Sequence, residues 1–252
     1  MRKLCTSYIQ QYCGQTACVF EEVPSTNALL KEYAKQGAPA WTSVVAAAQS
    51  AGRGRGDHTF YSPKGTGVYF SILLRPVRGF SPADITATAA VAACKAIEAI
   101  ADVKAQIKWL NDIYINGKKV AGILAECFFE GGDPVVILGV GVNLLPPKDG
   151  FPKEIASRAG AVLEKSKARF LRERMMIGFF QHLEKQFRNA AGVYAAYRQR
   201  LFMLGKRVML DGKSATVRDL LPDFRLELEM EDGSMRRLDS GEISLPDDKI
   251  VQ

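Results

Sequence analysis

Apolar positions along the chain keep three rhythms, and each predicts a different kind of element. Val44-Val45-Ala46-Ala47-Ala48 is a short unbroken apolar run, as expected of a buried strand. It delivers the chain into a glycine-rich loop, Gly52-Arg53-Gly54-Arg55-Gly56. Gly67 to Leu74 is a second such strand, bounded by Gly and Pro. Ser81-Pro82-Ala83-Asp84 predicts a helix start: serine caps, proline takes the first helical position, and the acid three residues on reaches back. The alanine-rich run to Ile100 then predicts a helix lying close against a sheet, because small side chains let backbones approach.

The middle of the chain returns to strands. Asn111 to Ile115 and Lys118 to Cys127 flank Asn116-Gly117, a pair that supplies the positive φ angles of a tight hairpin turn. Val135 to Leu144 is apolar enough for a central strand. Over residues 166–204 the period becomes helical, with Phe170, Ile177, Phe180, Leu183 and Phe187 largely on one face and a second helix around Tyr194 to Leu201. From Gly205 onward short strands alternate with Asp211-Gly212 and Asp232-Gly233 turns. About five strands in so short a stretch suggest a small SH3-like barrel. The expected fold class is α+β: a mixed sheet packed with helices over residues 1–204, then a small barrel over 205–252.

Composition narrows the class. The 252 residues are 47% hydrophobic and 24% charged, which excludes wholesale disorder. No apolar run approaches the roughly 18 residues of a membrane span. Met1-Arg2-Lys3-Leu4-Cys5-Thr6 has charge but no apolar stretch behind it, so no secretory leader is expected. Cys5, Cys13, Cys18, Cys94 and Cys127 are odd in number and lack paired spacing, which favours free thiols in a cytoplasmic protein. A net charge of +7, spread along the chain, favours anionic partners: phosphates, nucleic acid or an acidic protein.

Four stretches offer chemistry. In the glycine–arginine loop, glycines leave main-chain N–H groups open to a ligand, and Arg53 and Arg55 add planar forks suited to carboxylate or phosphate. Taken alone, the loop could equally be a nucleic-acid contact or a solvated turn, and it is not a Walker A sequence. Lys108-Trp109-Leu110-Asn111-Asp112 gathers a charge, an amide and a carboxylate at a strand end; an ordinary edge with a buried Trp is the plainer reading. In Lys119-Val120-Ala121-Gly122, the lysine could neutralise a carboxylate and a phosphate together, or be only a solvated hairpin residue. Gly139-Val140-Gly141-Val142-Asn143 clears space and ends on an amide.

In order along the chain, these stretches carry a resemblance. Ser25-Thr26-Asn27, Gln49 to Arg55, Ser62-Pro63 with Gly67 to Ser71, Lys108 to Asp112, Lys118 to Leu124, Gly141 to Leu144 and Gly241-Glu242-Ile243-Ser244-Leu245 together resemble biotin protein ligase. The resemblance runs from about Val23 to Leu245. It implies that ATP activates biotin to biotinyl-AMP and that the biotinyl group passes to a lysine of a carboxylase's biotin carrier domain. It implies Lys119 and Arg53 as the catalytic cations. Ser25, Thr26, Asn27, Gln49, Gly52, Arg53, Gly54, Arg55 and Lys119 are then expected at biotin. Arg55, Phe60, Lys108, Asn111, Asp112, Lys119 and Asn143 are expected at ATP, with Mg²⁺ on the phosphates and no metal ligand nameable. The Gly241 segment is expected to fold back toward the site.

Departures accompany the resemblance. Asp57 stands where the family commonly has glycine, His58 where it has arginine and Phe60 where it has tryptophan, which weakens the positive field near the phosphates. Phe60 is still expected to face adenine. Leu110 replaces a proline. His182 is expected to be structural. Only about 20 residues precede the first matching motif, so a short form without a DNA-binding domain is expected, as monomer or homodimer. The rival readings are a lipoate or octanoate ligase or transferase of the same fold, and a nucleic-acid-binding protein using Arg53 and Arg55.

Overall fold

The computed structural model describes residues 3–14, 16–75, 81–188, 190–241 and 243–245. Chain order begins with α1 (Thr6–Cys13), β1 (Ala17–Phe20), α2 (Thr26–Lys35), β2 (Ser43–Ala46), β3 (Gly67–Leu74) and α3 (Pro82–Ile100). It continues through β4 (Gln106–Lys108), β5 (Asp112–Ile115), β6 (Lys118–Glu130), β7 (Asp133–Asn143), α4 (Lys153–Ala156), α5 (Leu171–Arg188) and α6 (Val193–Arg200). The last strands are β8 (Arg207–Leu210), β9 (Lys213–Leu220), β10 (Leu226–Met230), β11 (Met235–Leu238) and β12 (Ile243–Ser244).

Among the described residues the first seven strands form one mixed sheet in the order β1-β2-β3-β7-β6-β5-β4. Only β1 and β2 run parallel, joined through α2; the other neighbours are antiparallel. One face carries Val68, Phe70 and Ile72 beside Leu138, Val140 and Val142, and is sealed by α3 and α5. The Ser81–Asp84 capping box forms as expected: Asp84 N–H donates to Ser81 Oγ at 3.1 Å, and Ser81 N–H donates to Asp84 Oδ2 at 2.7 Å. Alanine lets α3 approach its neighbours, and a Cβ added to Gly178 of α5 would sit 3.6 Å from Ala96 Cβ.

The opposite face is covered only in part. Leu30 and Ala34 of α2 close over Val44, Leu73, Val135 and Ile137 at one end. Toward the other end that face presents Ser71 and Gly139 beneath only the first turn of α2, and Tyr69, Gly141 and Gly122 beyond it. A cleft remains there because glycine fills nothing.

The Asn116-Gly117 turn has the expected positive φ angles, 49° and 75°. β6 runs three residues farther than the expected end at Cys127, and turns at Gly131-Gly132, also at positive φ, into β7. The helical region expected over 166–204 is also corrected. α5 begins at Leu171, and Phe170 stands outside it at φ 58°, its ring stacked on Tyr8 at 4.9 Å. The Trp109–Leu110 peptide is cis.

The remaining strands form a five-stranded antiparallel sheet, β11-β10-β9-β8-β12, consistent with the SH3-like expectation. Trp109, 3% exposed, donates its indole N–H to the Phe224 carbonyl, in the connection between β9 and β10, at 2.8 Å. Tyr197 donates to the Leu110 carbonyl at 2.9 Å and meets the Phe224 ring edge-on at 5.4 Å. Burial raises the Tyr197 phenol well above its ordinary pKa, so it stays a donor. The apolar core is therefore continuous from one sheet into the other.

Candidate active site

The uncovered part of the sheet opens into a cleft of about 780 Å³. Its floor is made by β6 and β7, where Gly122 pairs with Gly141 and Leu124 with Gly139. Each expected binding or catalytic side chain except Gly52 lines this cleft, including Ser25, Thr26, Asn27, Gln49, Arg53, Arg55, Lys108, Asn111, Asp112, Lys119 and Asn143. Gly52 acts behind the wall. A Cβ there would lie 2.8 Å from Ser62 Oγ, so only glycine lets the two ends of the loop close on each other.

The glycine–arginine stretch is an ordered hairpin-like loop. Arg53 bridges Thr59, Gly54 N–H donates to the His58 carbonyl at 2.7 Å, and Phe60 N–H donates to the Gly52 carbonyl at 2.9 Å. The loop holds Arg53 and Arg55 over the cleft from one side, while the β5–β6 hairpin raises Lys119 from the other. Cations from distant stretches of the chain thus share one cavity.

None of these three stands bare. Arg53 Nη1 lies 3.1 Å from Glu126 Oε1. Lys119 Nζ lies 2.7 Å from Asp112 Oδ1, a close charge contact that does not give that buried oxygen a well-directed hydrogen bond. Arg55 donates to Asn111 Oδ1 at 3.4 Å and to the Gly241 carbonyl at 3.2 Å. That last bond brings the C-terminal segment back to the cleft, where Gly241, Ile243 and Ser244 line it; Glu242 lies outside the described residues.

The polar residues near α2 form a connected cluster. Ser25 caps the helix by accepting from Ala28 N–H, a local job the sequence reading did not assign to it. Gln49 Oε1 accepts from Thr26 N–H at 2.8 Å and from Thr26 Oγ1 at 3.1 Å, and Gln49 Nε2 donates to Ser62 Oγ at 3.0 Å. Ser71 Oγ donates to Asn27 Oδ1 at 2.5 Å and lies 2.8 Å from Thr26 Oγ1. These side chains hold one another in place.

Of the side chains expected at ATP, Asn111 Nδ2 donates to the Ile123 carbonyl at 2.8 Å, and Asn143 Nδ2 donates to the Gly160 carbonyl at 3.2 Å. Lys108 Nζ lies 6.0 Å from the centre of the Tyr114 ring. Phe60, expected to face adenine, rests on the glycine floor. A Cβ at Gly141 would lie 2.6 Å from its Cε1, and the ring meets Tyr69 edge-on at 6.3 Å. Burial pushes the Tyr69 phenol up to about 12, so it remains protonated beneath Phe60.

Two residues escaped the sequence reading. Glu126 was only an arm of the hairpin, although a carboxylate interrupting the apolar run Val120–Phe129 was a visible signal. Arg158 lines the cleft from the segment after β7; that segment is sutured to Lys119 by Lys119 N–H to the Arg158 carbonyl at 2.7 Å and Gly160 N–H to the Lys119 carbonyl at 2.8 Å. No local pattern marks it. Arg158 makes five cationic side chains in the lining against the carboxylates of Asp57 and Asp112, so the cleft is net positive among the described residues. It adds positive charge to a cleft whose loop carries Asp57 and His58.

The chain matches the model of the biotin/lipoate A/B protein ligase family over residues 19–143. It is 38% identical over 183 residues to a bifunctional ligase/repressor, BirA, of Bacillus spizizenii; the match covers 70% of this chain and 55% of that protein. The chain thus spans about half the length of that relative. It is 32% identical over 203 residues to a biotin–[acetyl-CoA-carboxylase] ligase of Mycobacterium tuberculosis, covering 77% of this chain and 73% of the other. The fold matches a biotin protein ligase from Aquifex aeolicus in complex with biotin and ATP, with a TM-score of 0.75 at 27% identity. That match covers 91% of this chain and 98% of the other.

Proposed function

The chain belongs to the biotin/lipoate A/B protein ligase family, and on that premise we propose that it activates biotin with ATP and attaches it to a protein. In the first step the biotin carboxylate attacks the α-phosphate of ATP, giving biotinyl-AMP and pyrophosphate. In the second, a lysine amine of a carboxylase's biotin carrier domain attacks the acyl carbon, and AMP leaves with the bonding pair.

The observation that carries this reading is the convergence of Arg53, Arg55 and Lys119 on one glycine-floored cleft. Bringing a carboxylate to a triphosphate assembles several negative charges, and fixed cations in a water-poor site offset that repulsion. Lys119 and Arg53 take the electrostatic part at the reacting centre. The cluster of Ser25, Thr26, Asn27 and Gln49, with the Gly52–Arg55 loop, suits the ureido ring, which presents N–H donors and a carbonyl acceptor. In this reading Arg55, Phe60, Lys108, Asn111, Asp112 and Asn143, all in the cleft lining, serve ATP, and Arg158 joins them.

Mg²⁺ usually keeps several waters and arrives with phosphate oxygens, taking one or two protein carboxylates. The residues present fit that mode. No group of three or more His, Cys, Asp or Glu gathers among the described residues, and Asp112 supplies a carboxylate with a buried oxygen short of a hydrogen bond. Bound there, the ion would neutralise phosphate charge. In this reading residues 1–204 form the catalytic unit and 205–252 an SH3-like unit whose Gly241 segment borders the cleft, in a cytoplasmic setting.

Purified protein with ATP, Mg²⁺ and either biotin or lipoate, followed for pyrophosphate and then for acceptor labelling, tests the proposal. Release with biotin and labelling of a carrier-domain lysine are expected. Release with lipoate alone would transfer the reading to lipoyl chemistry.

A further inference from the structure

Glu126 stands on β6 between Leu124 at the cleft floor and Phe128 beneath α2, on the same face of the sheet. Its two oxygens go to two different elements. Oε1 pairs with Arg53 of the glycine–arginine loop at 3.1 Å, and Oε2 accepts from Asn27 Nδ2, at the start of α2, at 2.7 Å. A carboxylate has no proton to give, so it dictates which end of the Asn27 amide faces it. The carbonyl end is left to accept from Ser71 and lies directly over Gly139.

We propose that Glu126 is a positioning residue for the substrate cleft. It ties the arginine loop and the first turn of α2 to one strand, and fixes Asn27 so that an acceptor, not a donor, lies over the glycine floor. The inference rests on the proposed biotin chemistry for its substrate but on geometry for its mechanism. A run of polar contacts explains the arrangement. Asn27 donates to Glu126 and accepts from Ser71; Thr26 Oγ1 lies 2.8 Å from Ser71 Oγ and donates to Gln49; and Gln49 donates to Ser62, whose hydroxyl donates to the Phe60 carbonyl at 2.9 Å. Both ends, the carboxylate and the carbonyl, are obligate acceptors, and both touch the loop. The N–H donors of a ureido ring are the ligand groups that a carbonyl oxygen of Asn27 in the cleft lining recognises.

The Arg53–Glu126 pair adds little stability, since the arginine is half exposed and solvent screens the charges. Its part is geometric. The carboxylate also fixes where the Arg53 guanidinium stands over the cleft.

Glu126→Gln keeps the size and removes the obligate acceptor, because its amide can donate to Asn27 and let that side chain flip. The KM for biotin is expected to rise about tenfold, the scale of one misplaced buried hydrogen bond, with kcat changed far less. Glu126→Gln combined with Asn27→Asp offers the opposite pairing, a donor at 126 and an acceptor-only side chain at 27, and is expected to recover most of the loss. Hydrogen exchange of the Gly52–Phe60 amides in the ligand-free protein is expected to speed up in Glu126→Gln and to return toward wild type in Glu126→Asp.

An unchanged biotin KM in Glu126→Gln, or a double variant no better than Asn27→Asp alone, overturns the proposal. Unchanged exchange in the loop overturns the tie itself. If the wild-type protein neither binds biotin nor releases pyrophosphate, the proposed function fails instead, while the exchange measurement still decides whether Glu126 holds the loop.

Discussion

Lys119 Nζ and Asp112 Oδ1 lie 2.7 Å apart across adjacent strands, so the lysine proposed to offset substrate charge is paired with a carboxylate of the same cleft. Both side chains are mostly covered, at 33% and 20% exposure, which makes the contact sensitive to loss of either partner. Substrate anions must share or displace Asp112 to feel the full charge of Lys119.

Lys119→Ala is expected to slow adenylate formation by at least roughly tenfold, the usual range for removing a fixed charge from a reacting centre. It also leaves Asp112 unpaired, so Lys119→Ala with Asp112→Asn serves as the control. The double variant should regain stability but not rate. Rapid-quench measurement of biotinyl-AMP reads the rate, and a single variant as fast as wild type removes the role assigned to Lys119.

The glycine floor makes a steric prediction. Gly141→Ala places a Cβ 2.6 Å from Phe60 Cε1, and Gly139→Ala places one 2.9 Å from Asn27 Cγ. Neither neighbour can stay where it is. Both variants should fold, because the opposite face of β7 holds the core, yet both should weaken biotin binding at least roughly tenfold, as displacement of a positioning group does. Calorimetric titration giving wild-type affinity for either one would show that the floor is not the seat of the ligand.

Trp109 joins the two sheets through a single directed bond to the Phe224 carbonyl. Trp109→Phe keeps an aromatic ring but strands that carbonyl in the core, and the expected loss is about 1–3 kcal/mol. A urea midpoint indistinguishable from wild type argues that the sheets are held by apolar contact alone.

His182 on α5 gives the pH prediction. Burial first, and Lys95 and Lys185 second, hold its pKa below 6.5. The folded protein therefore binds this proton less readily than the unfolded chain does. Its contribution to stability is present above about pH 6.5 and is lost as pH falls through the folded value. Thermal melts between about pH 7 and pH 5 should show a fall in Tm that His182→Gln reduces. Equal slopes for the two proteins would exclude His182 as a source.

Much of this was legible in residue order. The capping box at Ser81, the Asn116-Gly117 hairpin and the uncovered run Gly139–Asn143 are local features: each depends on a few adjacent residues, and short-range sterics and hydrogen bonding settle them without reference to the rest of the chain. The motifs likewise named most of the cleft lining, because a strand or tight loop aims neighbouring side chains by its own period. Phe170 was misjudged because a helical spacing continues through a residue that the backbone has already turned out of the helix. The companions of these residues were another matter. That Glu126 meets both Arg53 and Asn27, that Asp112 shadows Lys119, that Arg158 joins the cleft, and that Phe60 rests on glycine are pairings between segments far apart in the chain. Such pairings depend on strand order and register, which no local pattern encodes, since the free energy that selects them comes from burying distant surfaces together.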